Sequence, residues 1–193
     1  MADVAIRKPA LAGRFGGSAA VRLTTAPTAS RVALRAPAES LAALSSALGL
    51  ALPDAPKTSG LALPDAPKTS GRAGARSALW IGPDEWLVID EAGADLMATL
   101  SGAGTLHSAT DVSHRNVAII VSGPGAEATL SAGCPQDLSL SSFPVGAASR
   151  TVFGKAEIVL FRTEEDAFRV ECWRSFSDYV FGLLNEAAED AGH

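Results

Sequence analysis

The sequence predicts an α+β fold, mostly antiparallel sheet with packed helices, and three observations carry that expectation. Strand-like runs come in adjacent pairs: ALWIGPDEWLVID is broken only by Gly82-Pro83-Asp84, and AEIVLFR is parted from AFRVECW by Thr163-Glu164-Glu165-Asp166. Each pair reads as an antiparallel hairpin. Helical periodicity punctuates the pairs instead of alternating with single strands. The chain of 193 residues is 47% hydrophobic and 19% charged, enough for one substantial domain or two small halves sharing a core.

Residues 1–30 show little periodicity and are expected to form an extended basic N-terminal arm. Up to Pro37 the chain carries Arg7, Lys8, Arg14, Arg22, Arg31 and Arg35 against Asp3 alone. Pro9, Gly13, Gly16, Gly17 and Pro27 interrupt any amphipathic helix, so an organelle transit peptide is disfavoured and an arm laid on an acidic partner fits. A single α+β domain of two small halves is expected over 31–190. RVALR (Arg31 to Arg35) alternates as a strand, and ESLAALSSALG puts Leu41, Leu44 and Leu48 on one helical face before a stop at Gly49.

The unit LALPDAPKTSG at 50–60 recurs unchanged at 61–71. It is rich in Pro, Gly and Ser with no evident apolar face, so the expectation is a duplicated surface loop over 50–71. Beyond the first hairpin, Leu96 and Leu100 mark a short helix ending at Gly102. VAIIVS (Val117 to Ser122) reads as a buried strand, and Pro124 suits the first turn of a helix running to about Ala132. At the end, Ser175 with Asp178 matches a capping box, and Phe176, Val180, Leu183 and Leu184 share a face.

The net charge of −5 and pI near 5.2 argue against a nucleic-acid partner. No apolar run is long enough to span a bilayer, and the expected compartment is the cytoplasm. Cys134 and Cys172 read as buried free thiols in a reducing compartment, with a disulfide left open. His107, His114 and His193 show no metal-ligand spacing with each other or with the cysteines.

TDVSHRNVAIIVSGPGAEATL (Thr110 to Leu130) holds the motifs with chemical content. Asp111, Ser113 and His114 have the residue types of a hydrolytic triad, but along a strand Asp111 and Ser113 face one way and His114 the other. Gly123, Gly125 and Ala128 form G-x-G-x-x-A between a strand and a helix, the context of a dinucleotide fingerprint. Against it, Pro124 removes a backbone donor, and about twenty residues on, where a ribose-binding carboxylate belongs, stands Ala148-Ser149-Arg150. A tight turn that needs glycine is the favoured reading. Of Trp80, Trp86 and Trp173, the last is in phase with Arg169 and Glu171 on the polar face of its strand, as a partner surface or beneath the final helix. No catalytic, cofactor-binding or metal-binding residue is assigned.

LWIGPDEWLVI, DVSHRNVAIIVSGPGA, GCPQDLSLSSFPVG and RSFSDYVFGLL resemble, in order from about Arg31 to Ala188, the gamma subunit of bacterial heterotetrameric sarcosine oxidase. The most specific pieces are Gly133-Cys134-Pro135 with Asp137-Leu138, Pro144-x-Gly146, and Arg174-Ser175-Phe176 with Asp178-Tyr179. The pattern is more distantly similar to the folate-binding fold of glycine-cleavage aminomethyltransferase, where a D-x-S segment leads through a strand into G-P-x-A and a helix. The resemblance implies a complex that demethylates sarcosine oxidatively to glycine, hydrogen peroxide and methylenetetrahydrofolate. It implies alpha, beta and delta subunits as partners, with FAD, FMN, NAD and the tetrahydrofolate site held by the larger subunits and none by this chain. A stand-alone folate-binding one-carbon module is the alternative; it would gather Asp111, Asp137 and the tryptophans around a pterin.

Overall fold

The computed structural model describes residues 9–53 and 70–191. Among these the chain runs β1 (Phe15–Gly17), β2 (Arg22–Thr25), β3 (Ser30–Arg35), α1 (Leu41–Leu48), β4 (Ser70–Ala73), β5 (Arg76–Gly82) and β6 (Glu85–Asp90). It continues as α2 (Leu96–Ser101), β7 (Ser108–Asp111), β8 (Asn116–Ser122), α3 (Ala126–Ser131), β9 (Ala148–Phe153), β10 (Ala156–Glu164), β11 (Ala167–Trp173) and α4 (Ser177–Asp190). One sheet has the order β1-β2-β8-β11-β10-β9 and the other β4-β5-β6-β3-β7. Every pairing in both is antiparallel.

The two sheets pack face to face, with α3 and α4 outside the first and α1 and α2 outside the second. Period-two alternation builds these layers. In β10, Ile158 and Leu160 face the helices, while Val159 and Phe161 meet the other sheet. In β6, Trp86 and Val88 pack under α1 and α2, and Leu87 and Ile89 lie between the sheets. Strands buried on both faces therefore read as continuous apolar runs, which is why the two hairpins stand out in the sequence.

The helices dock by their apolar stripes. In α1, Leu44 and Leu48 are buried, and Gly49 at φ 67° ends the helix with its N–H on the carbonyls of Ser45 and Ser46. In α2, Asp95 caps the N-terminus by accepting from the Ala98 N–H at 2.9 Å, and Leu96 and Leu100 face the core. In α4, Val180, Phe181, Leu184 and Ala188 are buried against β1, β2 and β11.

Four expectations are corrected. Described residues of the N-terminal segment are not an extended arm: β1 and β2 form a hairpin that joins β8, with Leu23 opposite Val121. Leu11, Val21 and Leu23 are buried in the core under α3 and α4. Gly16 and Gly17 instead allow close approach: a Cβ on Gly17, at φ 118°, would lie 2.0 Å from the Val21 carbonyl oxygen. Residues 1–8 of that segment lie outside the described residues.

The duplicated segment does have apolar anchors. Leu50 and Leu52 are buried in the core beneath α1 and α2, the Pro53 carbonyl accepts from Trp86 Nε1 at 3.0 Å, and Ser70 and Gly71 open β4. Residues 54–69 lie outside the described residues. Ser175 and Asp178 do not make a capping box. The chain enters α4 through a 3-10 turn at Arg174–Phe176, Ser177 Oγ donates to the Arg174 carbonyl, and Phe176 is exposed. Pro124 precedes α3, in a turn closed by the Ala126 N–H on the Gly123 carbonyl at 2.9 Å.

Two outcomes test these corrections. Leu23→Ala removes a fully buried side chain from β2 and should lower unfolding free energy by about 2–5 kcal/mol in urea titration; an extended arm would leave it unchanged. Deleting 61–71 leaves one unit in which Leu50, Leu52 and Pro53 keep their anchors and Ser59-Gly60 run directly into Arg72. Gly71 already abuts the Ala51 carbonyl, so a short connection reaches. Tm should stay within about 4 °C, because each halving of loop length changes closure entropy by only about 0.6 kcal/mol.

Candidate functional site

The D-x-S-H stretch closes β7 against β3. Ser113 Oγ donates to Asp111 Oδ1 at 2.5 Å, the Ser113 N–H donates to the same oxygen at 2.8 Å, and the Arg31 N–H donates to Ser113 Oγ at 2.8 Å. Between them Val112 is buried and its N–H donates to the Arg31 carbonyl at 2.9 Å. This Asx-type turn joins two strands. His114 is exposed, and the Ser113 hydroxyl is given to Asp111. A triad needs the serine proton to reach an imidazole, and here it points at the carboxylate.

The glycine turn is likewise used by the fold. A Cβ on Gly123, at φ 114°, would lie 2.5 Å from the Ala20 carbonyl oxygen, and one on Gly125 would lie 2.7 Å from Val21 Cγ2. The Gly125 N–H donates to the Ala20 carbonyl at 3.1 Å. Both glycines thus admit the β1–β2 hairpin, and a donor that a pyrophosphate would need is already bonded. Ala128, the third position of the fingerprint, is exposed and packs no strand.

The alternative's residues are not gathered around one cavity. Trp80 and Trp86 belong to the core beneath α1 and α2. Asp137 sits in the loop after α3, where the Ser142 hydroxyl, at 2.6 Å, and the Ser139 N–H hold its carboxyl below the usual carboxylate range. Cys134 and Cys172 are free thiols, which resolves the open disulfide question. Burial, with the charge of Glu171 adding to it, pushes the Cys172 thiol up to about 12. Among the described residues no group of three His, Cys, Asp or Glu side chains could hold a metal ion.

What sequence reasoning missed lies between the sheets. Arg169 and Glu171 share a face with Trp173, but that face receives the second sheet instead of solvent. Glu171 Oε2 accepts from Arg31 Nε at 2.8 Å and Glu171 Oε1 accepts from Arg169 Nε at 2.8 Å; all three side chains are at most 4% exposed. Arg169 Nη1 donates onward to Glu91 Oε1 at 2.7 Å, at the half-exposed rim. Alternation alone marks Arg169 and Glu171 as outward, so only the R-x-E pair inside an apolar strand hinted at a buried bridge.

Arg31 also lines a cleft of about 240 Å³ at one end of the inter-sheet layer, formed by the segment before β1, the β2–β3 connection and the turn after β7. Asp111, Asp137 and the tryptophans do not line it. Close by in sequence to its His114 and Arg174 walls, Trp173 is partly exposed, with the Arg115 guanidinium 4.6 Å from its ring centroid and Phe176 at 6.3 Å. Phe176 and Tyr179 are also partly exposed.

The sequence matches the profile of the sarcosine oxidase, gamma subunit family over residues 35–190. It is 30% identical over 183 residues to sarcosine oxidase subunit gamma of Corynebacterium sp. strain U-96, covering 93% of this chain and 84% of that one. A solved structure of heterotetrameric sarcosine oxidase from Corynebacterium sp. U-96 in complex with pyrrole 2-carboxylate contains a chain that superposes with a TM-score of 0.81 at 28% identity, covering 97% of each chain. Glycine cleavage system aminomethyltransferase T of Bartonella henselae shares the fold, with a TM-score of 0.60 at 17% identity over 86% of this chain and 45% of that one.

Substitutions separate the turn from the triad. Ser113→Ala removes the acceptor of the Arg31 N–H and should lower stability by about 1 kcal/mol in urea titration. His114→Ala should stay within about 0.5 kcal/mol of wild type. A larger loss at His114 than at Ser113 would show that the histidine, and not the turn, organises this segment.

Proposed function

The chain belongs to the sarcosine oxidase gamma subunit family, and from that premise we propose that it serves as the non-catalytic gamma subunit of a heterotetrameric sarcosine oxidase. The observation that carries the reading is its likeness, over nearly its whole length, to a chain solved inside such a heterotetramer. The complex would demethylate sarcosine oxidatively to glycine, with hydrogen peroxide and methylenetetrahydrofolate as the other products. FAD, FMN and NAD would be held by the alpha and beta subunits, which with delta are the partners, and tetrahydrofolate would be a co-substrate there.

The geometry supports an assembly role in two ways. The residues that could have carried chemistry are spent on the fold: Ser113 and Asp111 close a turn, and Gly123 and Gly125 seat a hairpin. At the start of α4, Trp173, Phe176 and Tyr179 present partly exposed rings, and Arg115 stacks on the first. Aromatic rings with arginine are the composition of interface anchors. The stand-alone folate module gains nothing specific from the structure, since its carboxylates and tryptophans are dispersed and the aminomethyltransferase likeness concerns the fold. No helix among the described residues is long and apolar enough to cross a membrane, and the proposed place of action is the cytoplasm.

Purification tests the proposal. The chain alone should be colourless and inactive toward sarcosine, and co-expression with alpha, beta and delta subunits should return it in a yellow, active complex. Stoichiometric flavin on the isolated chain, or turnover of sarcosine by it, would overturn the non-catalytic reading. Failure to co-purify would overturn the assignment as a subunit.

A further inference from the structure

We infer that the cleft at the end of the inter-sheet layer binds a small carboxylate with an apolar body, and that Arg31 recognises the carboxylate. Arg31 is 3% exposed, yet it lines the cleft. Its Nε is fastened to Glu171 and its Nη1 to the Ala29 carbonyl at 3.0 Å, while Nη2 donates to no described residue. A guanidinium offers five N–H donors in a fixed fork, and leaving donors of a buried cation unused is unfavourable. The fork is fastened on two edges, at Nε and Nη1, in a residue that lines the cleft. That arrangement suits a carboxylate, which accepts two parallel N–H bonds.

Charge points the same way. The fully buried triad places Arg31 and Arg169 around the single carboxylate of Glu171, two positive charges against one negative, and Glu91 meets Arg169 only at the half-exposed rim. Arg169 Nη2 is buried without a hydrogen-bond partner. No residue lining the cleft is acidic. A ligand anion beside Arg31 would offset this buried excess.

Size and wall chemistry narrow the ligand. A cleft of about 240 Å³ takes a small molecule. About half of the wall is apolar, with Pro9, Leu11, Ala26, Pro27 and Val117 among its residues, so the part beyond the carboxylate carries apolar surface. The carboxylate could belong to a free small molecule or to a partner subunit's polypeptide; the chemistry at Arg31 is the same.

Calorimetric titration of the full-length chain with benzoate, against its neutral isostere benzamide, tests the site. Benzoate should bind saturably at one site, and benzamide at least about tenfold more weakly, because hydrogen bonds to a charged group are lost. Arg31→Gln should abolish the preference but also removes a member of the triad and can unfold the chain. Ala26→Phe therefore provides the second variant: it fills the cleft away from the triad and should abolish benzoate binding in a chain that unfolds with a wild-type urea transition. Repeating the titration on the assembled oxidase distinguishes the sources. Benzoate binding that survives assembly indicates a free carboxylate, and binding that disappears indicates a partner's. Equal affinity for benzoate and benzamide, no saturable benzoate binding, or binding unaffected by Ala26→Phe overturns the inference.

Discussion

The two sheets are joined by a fully buried charged cluster, the Glu171 carboxylate between the guanidinium groups of Arg31 and Arg169. Arg31 comes from β3 of one sheet, and Arg169 and Glu171 from β11 of the other. A buried ion pair is weak evidence for net stability, because desolvation offsets much of the attraction, but removing one member strands a charge and costs about 3–5 kcal/mol. Its larger effect is on register. A slip of one residue in β11 would carry Arg169 and Glu171 into the apolar layer with α3 and α4, and bring Phe168 and Val170 against the other sheet.

A second buried arginine works in the outer layer. Arg162, 1% exposed, donates to the carbonyls of Leu138, Phe143 and Glu165, pairs with Glu127, and lies 4.6 Å from the Phe168 ring centroid. It thereby ties the long connection between α3 and β9 to the sheet without a helix or strand in that connection. In both places a cation satisfies backbone or carboxylate acceptors that the apolar layers cannot.

The same economy explains why motifs that suggest chemistry serve the scaffold. Asp111 and Ser113 supply acceptors where β7 ends and the chain turns toward β8. Gly123 and Gly125 lack side chains where the β1–β2 hairpin crosses the start of α3. A fold held by such local bonds can be shared with an aminomethyltransferase while its chemistry is not, since function resides in sites and not in the fold. Family membership, and with it the proposed role in an assembly, rests on likeness along the whole chain and not on any one motif.

The elements legible in the sequence were those whose pattern is local. The hairpins at Trp80/Trp86 and Leu160/Val170 announce themselves because strands buried on both faces are apolar throughout, and α1 and α4 because their buried residues recur at helical spacing. Missed were β1, β2, β4, β7 and β9. Of these, β1, β4, β7 and β9 are edge strands, short and partly polar, which become strands only because a neighbour offers a free row of N–H and C=O groups. The buried triad and the cleft beside it were illegible for a related reason. Residues 31, 169 and 171 are distant in sequence, and alternation says which side of a strand a residue occupies but not whether that side meets water or a second sheet. Composition and periodicity determined that this chain forms antiparallel sheets with helices laid on them. Only the packing of one sheet on the other decided that Arg31 and Glu171 are core residues, because burial is a property of two surfaces and the sequence of a strand describes one.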